Sequence, residues 1–123
     1  MEQRDHSHSQ GRIAVVGFGP GHPLDRTRRA EEAIRESEVV VGYEPYLERI
    51  SDLTGGKELL GTGMKQEVER ARAALERARA GKRVAIVSSG DAGIYGMAGL
   101  MLELCAAEAP DMELEIIPGV TAA

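Results

Sequence analysis

The chain is predicted to be an α/β domain, a mostly parallel sheet with helices on both faces. Three observations predict it. Short β-branched runs recur at Arg12–Val16, Glu38–Gly42, Arg83–Val87 and Leu114–Ile117. Segments with apolar residues at helical spacing lie between them. Turns rich in glycine, proline or small residues follow three of the runs, at Gly17–Pro23, Ser88–Gly96 and Pro118–Ala123. Strands alternating with helices in this way pair in parallel, because each return to the sheet needs a crossover.

Composition narrows the function. The chain has 123 residues, 42% hydrophobic and 28% charged, as expected of one globular domain. Aromatic residues are few (Phe18, Tyr43, Tyr46 and Tyr95), so aliphatic side chains must form the core. A net charge of −5 argues against a nucleic-acid partner, which would need a basic face. No apolar run reaches membrane-spanning length, and no signal peptide opens the sequence, so no membrane partner and a cytoplasmic location are expected. Cys105, the single cysteine, lies in an apolar helical run and is expected to pack as a small hydrophobe.

Residues 1–10 are polar and aperiodic and are expected to form a disordered tail. His6 and His8 in that tail have no further ligand nearby, so no metal site is expected. The first strand, Arg12–Val16, runs into Gly17-Phe18-Gly19-Pro20-Gly21-His22. This is not the dinucleotide fingerprint, because His22 stands where the third glycine would fall. Thr27 is placed to cap a helix over Arg28–Glu36. Arg26, Arg28 and Arg29 beside the glycine loop are either a solvated face or an anion-facing surface.

The second strand, Glu38–Gly42, leads to Tyr43 and to a short helix Tyr46–Ile50 begun by Pro45. Lys57–Leu60 is a possible short strand. Lys65–Ala80 is the most regular helix, with Val68, Ala71, Leu75 and Ala78 on one face and Gly81 at its end. Glu67 with Arg70, Glu69 with Arg72 and Glu76 with Arg79 are expected to pair on its exposed side. The strand Arg83–Val87 is followed by the turn Ser88–Gly96 and a mostly buried helix Met97–Cys105. Asp91, the only charged side chain in that turn, either caps the helix or bonds a ligand hydroxyl or amine. Leu114–Ile117 is the last strand. Thr121-Ala122-Ala123 reads as the start of a helix, so residues 11–118 are expected to form the domain and 119–123 the beginning of a missing second one.

In such sheets ligands bind at the C-terminal ends of the strands. The three turns there contain no nucleophile–base pair, zinc spacing or Walker signature. Backbone, small residues and one carboxylate suit positioning a reactive cofactor better than covalent catalysis.

Four stretches carry a specific resemblance: Gly17-Phe18-Gly19-Pro20-Gly21, Glu38–Tyr43, Ser88–Ala98 and Ile117–Ala123. In this order they resemble the tetrapyrrole methylase family over nearly the whole chain from Gly11. Gly61-Thr62-Gly63-Met64 and the Ser-Ser-Gly-Asp run point to members that methylate C-17 of a precorrin with ring contraction, in cobalamin biosynthesis. The resemblance implies S-adenosyl-L-methionine as cofactor, bound folded in a cleft between two α/β domains. It implies that Pro20 touches the cofactor and that Ser89, Gly90 and Asp91 line it. Ile94 would pack nearby, and Thr121 and Ala122 would complete this half of the pocket. A precorrin-type tetrapyrrole substrate and a homodimer are implied as well. Tyr43 stands where a related methylase has a catalytic aspartate, so no catalytic residue is assigned. Two other classes remain open on the residues alone: a non-enzymatic nucleotide-binding module, and an inactive structural fragment that self-associates through uncovered apolar surface.

Overall fold

A computed structural model describes residues 11–18, 26–89 and 91–118. The order of elements is β1 (Arg12–Phe18), α1 (Arg28–Glu36), β2 (Val39–Tyr43), α2 (Glu44–Arg49), a 3-10 turn (Ser51–Leu53), β3 (Glu58–Thr62), α3 (Glu67–Arg79), β4 (Arg83–Ser89), α4 (Asp91–Glu108) and β5 (Glu113–Ile117). The sheet has five strands in the order β3-β2-β4-β1-β5. Every pairing is parallel. The predicted fold class is therefore the observed one.

The central strands carry continuous apolar runs, Ile13–Val16, Val39–Val41 and Val84–Val87, because both of their faces are covered there. Alternate residues supply two separate cores. Ile13, Val15, Val39, Val41, Val84 and Ile86 pack under α3 and α4, against Leu75, Ile94, Met101 and Cys105. Val16, Val40, Ala85 and Val87 pack under α1 and α2, against Ala30, Ile34 and Leu47. Helices α1 and α2 thus cover one face, and α3 and α4 cover the other. The edge strands β3 and β5 alternate partly buried and exposed residues along much of their length, as one-sided strands do. Cys105 is buried as expected, and burial pushes its thiol pKa up.

Local sequence accounts for the helix ends. Thr27 Oγ1 accepts from Ala30 N at 3.0 Å and caps α1. Thr27→Ala is expected to cost about 1 kcal/mol, seen as a fall of about 4 °C in melting temperature. Gly81, with φ +97°, closes α3. Gly81 N donates to Ala78 O and Lys82 N to Arg77 O, the paired bonds of a Schellman ending. Gly11 packs directly on that ending, where an added Cβ would lie 1.7 Å from Lys82 O.

Several boundaries differ from the sequence reading. β1 extends through Gly17 and Phe18, because both pair with β4 at Ser88 and Ser89. α4 begins at Asp91, six residues before its expected start at Met97. Gly93 and Gly96, read as turn residues, lie inside the helix. Val68 is 58% exposed, and the buried stripe of α3 is Arg70, Ala71, Ala74, Leu75 and Ala78.

The expected charge pairs along α3 are replaced by tertiary ones. Arg72 Nη2 reaches Glu108 Oε2 at 2.9 Å, Arg79 also approaches Glu108, and Arg77 Nη2 reaches Glu58 Oε2 at 2.8 Å. Arg26 makes a two-pronged bond to Asp52, at 3.1 and 2.9 Å. Arginine hydrogen bonds hold Asp52, Glu58 and Glu108 below the ordinary carboxylate range. Their folded pKa values lie below the unfolded ones, so their contribution is complete above the unfolded values and is lost as pH falls through the folded ones. Melting temperature should be flat from about pH 7 to 5 and decline below about pH 4. Added salt should reduce the decline.

Candidate functional site

The strand order creates the site. Chain leaving β1 and β2 turns to the α1/α2 face, whereas chain leaving β4 turns to the α3/α4 face. β4 lies between β1 and β2, so connections diverge on both sides of its C-terminal end. Such a switch point opens a crevice at the rim. The register brings the strand ends together: Phe18 lies beside Ser89, Gly42 beside Val87, and Val16 beside Ile117. With strands about 4.8 Å apart, chain leaving β1, β4 and β5 departs from three contiguous positions on one edge.

Two of the expected cofactor-binding residues, Ser89 and Asp91, are adjacent at this corner. Ser89 ends β4, and Asp91 is the first residue of α4. Ile94, one turn into α4, is 1% exposed and belongs to the core beneath the corner. It supports the rim from below. Pro20, Gly90, Thr121 and Ala122 lie outside the described residues. The first turn of a helix offers free backbone N–H groups and a positive end, and α4 starts at this corner.

A cavity of about 290 Å³ opens beside that corner. Tyr43 and Tyr46 form one wall, with ring centroids 5.2 Å apart and planes at 86°. Ser88, Gly93 and Met97 form the wall nearest the β4–α4 junction. Lys65 and Arg70 line it from the β3–α3 side, with Glu67 the acid among them. The Ser88 side chain is buried, and its hydroxyl has no hydrogen-bond partner among the described residues. A buried hydroxyl left in this condition suits a polar ligand at the end of β4.

Sequence reasoning missed Arg70 as a cavity residue and assigned it to an exposed pair with Glu67. The available signal was its spacing to Ala74 and Ala78, which places it on the buried stripe. Of the basic cluster near the glycine loop, Arg26 is engaged by Asp52 and Glu31, and Arg29 by Glu115. Those two guanidinium groups are neutralised within the fold.

Among the described residues no group of three or more His, Cys, Asp or Glu side chains is arranged to hold a metal. Among them, too, no helix is long and apolar enough to cross a membrane.

A doubly wound parallel sheet with a crevice at the β4 corner defines an α/β domain of the open-sheet class. The family is defined more narrowly: residues 12–123 match the model of the Tetrapyrrole (Corrin/Porphyrin) Methylases, and the chain belongs to that family. It is 50% identical over 110 residues to the "Probable cobalt-factor III C(17)-methyltransferase" of Salmonella typhimurium, covering 89% of this chain and 46% of that protein. It is similar to the crystal structure of the methyltransferase CobJ, with TM-score 0.79 and 39% identity over 91% of this chain and 47% of that one. It is also similar to the uroporphyrin-III C-methyl transferase of Thermus thermophilus complexed with S-adenyl homocysteine. There the TM-score is 0.69 and the identity 31%, over 90% of this chain and 46% of that one. The chain thus spans about half the length of these relatives.

Proposed function

We propose that this chain forms the cofactor-binding half of an S-adenosyl-L-methionine-dependent enzyme. The reaction is methylation of C-17 of a precorrin-type tetrapyrrole, with ring contraction, in cobalamin biosynthesis. The observation carrying this reading is the register that starts three turns from adjacent strand ends, in a chain half identical to a protein named for C(17) methyl transfer. Residues 11–118 are read as the first of two domains, with 119–123 leading into the second, in keeping with the half coverage of the relatives.

The residues proposed to hold the cofactor are Pro20, Ser89, Gly90, Asp91, Thr121 and Ala122, with Ile94 packed beneath. When bound, S-adenosyl-L-methionine supplies an electrophilic methyl group on a sulfonium that leaves without acid assistance. The chain's task is then alignment, which by itself is worth several kcal/mol of barrier. The β4–α4 corner presents backbone donors to the ligand's polar groups. Asp91 accepts from an ammonium or hydroxyl, and the Ser88 hydroxyl offers a further polar contact. Tyr43 and Tyr46 supply flat apolar surface for the macrocycle beside it. The cytoplasm is the proposed location. A homodimer is proposed as the assembly, with exposed Val68, Tyr95 and Leu102 supplying apolar surface to a partner.

Thermal unfolding with S-adenosylhomocysteine, NAD or ATP separates this reading from a nucleotide-binding module. A rise in melting temperature with S-adenosylhomocysteine alone is expected. Protection by NAD or ATP, with none from S-adenosylhomocysteine, would reject the methyltransferase reading.

A further inference from the structure

We infer that Arg70 anchors a carboxylate of the macrocyclic substrate, from the β3–α3 side of the cavity. The inference rests on the tetrapyrrole reading above and adds the residue that recognises the ring's acidic periphery.

Arg70 is the one buried arginine among the described residues, whereas most of the others pair with carboxylates. Arg26, Arg29, Arg72 and Arg77 each face a carboxylate. Arg70 is only 8% exposed, yet it donates to neutral acceptors alone: Nε to Thr62 Oγ1 at 2.7 Å and Nη2 to Gly63 O at 3.3 Å. Among the described residues no carboxylate lies within ion-pair distance of it, and Nη1 has no acceptor. Burying a guanidinium without a counter-charge costs several kcal/mol. A domain meant only to be stable would place an uncharged residue on that stripe, as it does at Ala71, Ala74 and Ala78.

The surroundings indicate what answers the charge. The cavity that Arg70 lines holds a second cation, Lys65, and one acid, Glu67. The Tyr43–Tyr46 pair and the 69%-exposed Met64 give it an apolar wall. A ligand matching these features has an apolar body and an anionic edge. Lys65 itself has φ +65°, the left-handed region that a side chain normally avoids. Strain of this kind clusters at ligand-binding positions. Thr62 and Gly63 fix the guanidinium in advance, so little freedom is lost when an anion docks.

The test uses uroporphyrin I, whose eight side chains are carboxylic acids, and its octaamide. Each is titrated into the full-length protein by fluorescence. The wild type is expected to bind the acid more tightly than the amide. Arg70→Gln is expected to weaken the acid on the order of thirtyfold, leaving the octaamide and S-adenosylhomocysteine unchanged. Thr62→Val, which removes the partner of Nε but keeps the charge, should stay within about threefold of wild type. Arg70→Gln binding uroporphyrin like wild type would overturn the inference and leave the tetrapyrrole reading standing. So would Thr62→Val losing as much as Arg70→Gln, since Arg70 would then be only a brace for the loop. Should Arg70→Gln not fold, the Arg70 Nε–H resonance of the wild type serves instead: it should shift on adding uroporphyrin, and a stationary resonance overturns the inference. A wild type that binds neither macrocycle would overturn the tetrapyrrole reading itself, and Arg70's assignment with it.

Discussion

Asp91→Ala should weaken S-adenosylhomocysteine binding by about one to two orders of magnitude, the worth of a charge-assisted hydrogen bond. Asp91 opens α4 directly after the turn at the end of β4. A carboxylate at the first position of a helix interacts favourably with the helix end, and this helix starts at the rim where the connections diverge. Two roles therefore have to be separated. Loss of the helix-end charge should cost stability by only about 0.3–1 kcal/mol, whereas loss of a ligand contact should appear in affinity. Asp91→Asn keeps the shape and removes the charge, so it should reproduce the affinity loss. Calorimetric titration of both variants measures this. Unchanged affinity in both would remove Asp91 from the site and leave it a helix-end residue.

The largest stability effect is expected at Ile86→Ala, about 3–4 kcal/mol in a fold stabilised by roughly 5–15 kcal/mol. Ile86 is fully buried in β4, between β1 and β2, in the core under α3 and α4. Truncation removes buried apolar surface and leaves a cavity that a sheet centre cannot close. Val68→Ala is the informative companion. The sequence reading placed Val68 in the same core, but it is 58% exposed, so its truncation should change stability by less than about 0.5 kcal/mol. Denaturant unfolding of both should show a lower midpoint for Ile86→Ala alone. An equal loss for Val68→Ala would mean that α3 is rotated from the orientation described here.

The contrast between these two residues shows how much of the fold was legible. Continuous β-branched runs identify β1, β2, β4 and β5 because burial on both faces, or one, leaves a periodicity of its own. α3 was legible as a helix, and Ala71, Leu75 and Ala78 of its expected face are buried, but Val68 was misplaced and Arg70 was missed. Val68 and Arg70 flank the stripe of Ala71, Ala74, Leu75 and Ala78 on opposite sides, about 200° apart around the helix, and the pattern favoured the apolar residue over the charged one. Tertiary context reversed that, since Arg70 finds Thr62 and Gly63 across the β3–α3 connection. The start of α4 was missed for a different reason. Gly93 and Gly96 carry low helix propensity, yet they lie in an 18-residue helix anchored by Ile94, Met97 and Met101 in the core.

The rim was legible only as separate turns. Nothing in the chain's order specifies that β4 inserts between β1 and β2, and that insertion brings Phe18 beside Ser89. The cavity wall of Tyr43, Tyr46, Lys65 and Arg70 was not legible at all. Its members come from the β2–α2 junction and from the β3–α3 connection with the first turn of α3, which meet only in the folded sheet.

The central claim is that chain leaving β1, β4 and β5 shares one small-molecule ligand. Backbone amide chemical shifts, recorded while S-adenosylhomocysteine is titrated into the isotopically labelled full-length protein, test it most directly. Shifts concentrated in Gly17–Gly21, Ser89–Ile94 and Pro118–Ala122 are expected. Shifts at the opposite ends of the strands, around Glu38, Lys57 and Lys82, with the three turns unmoved, would contradict it.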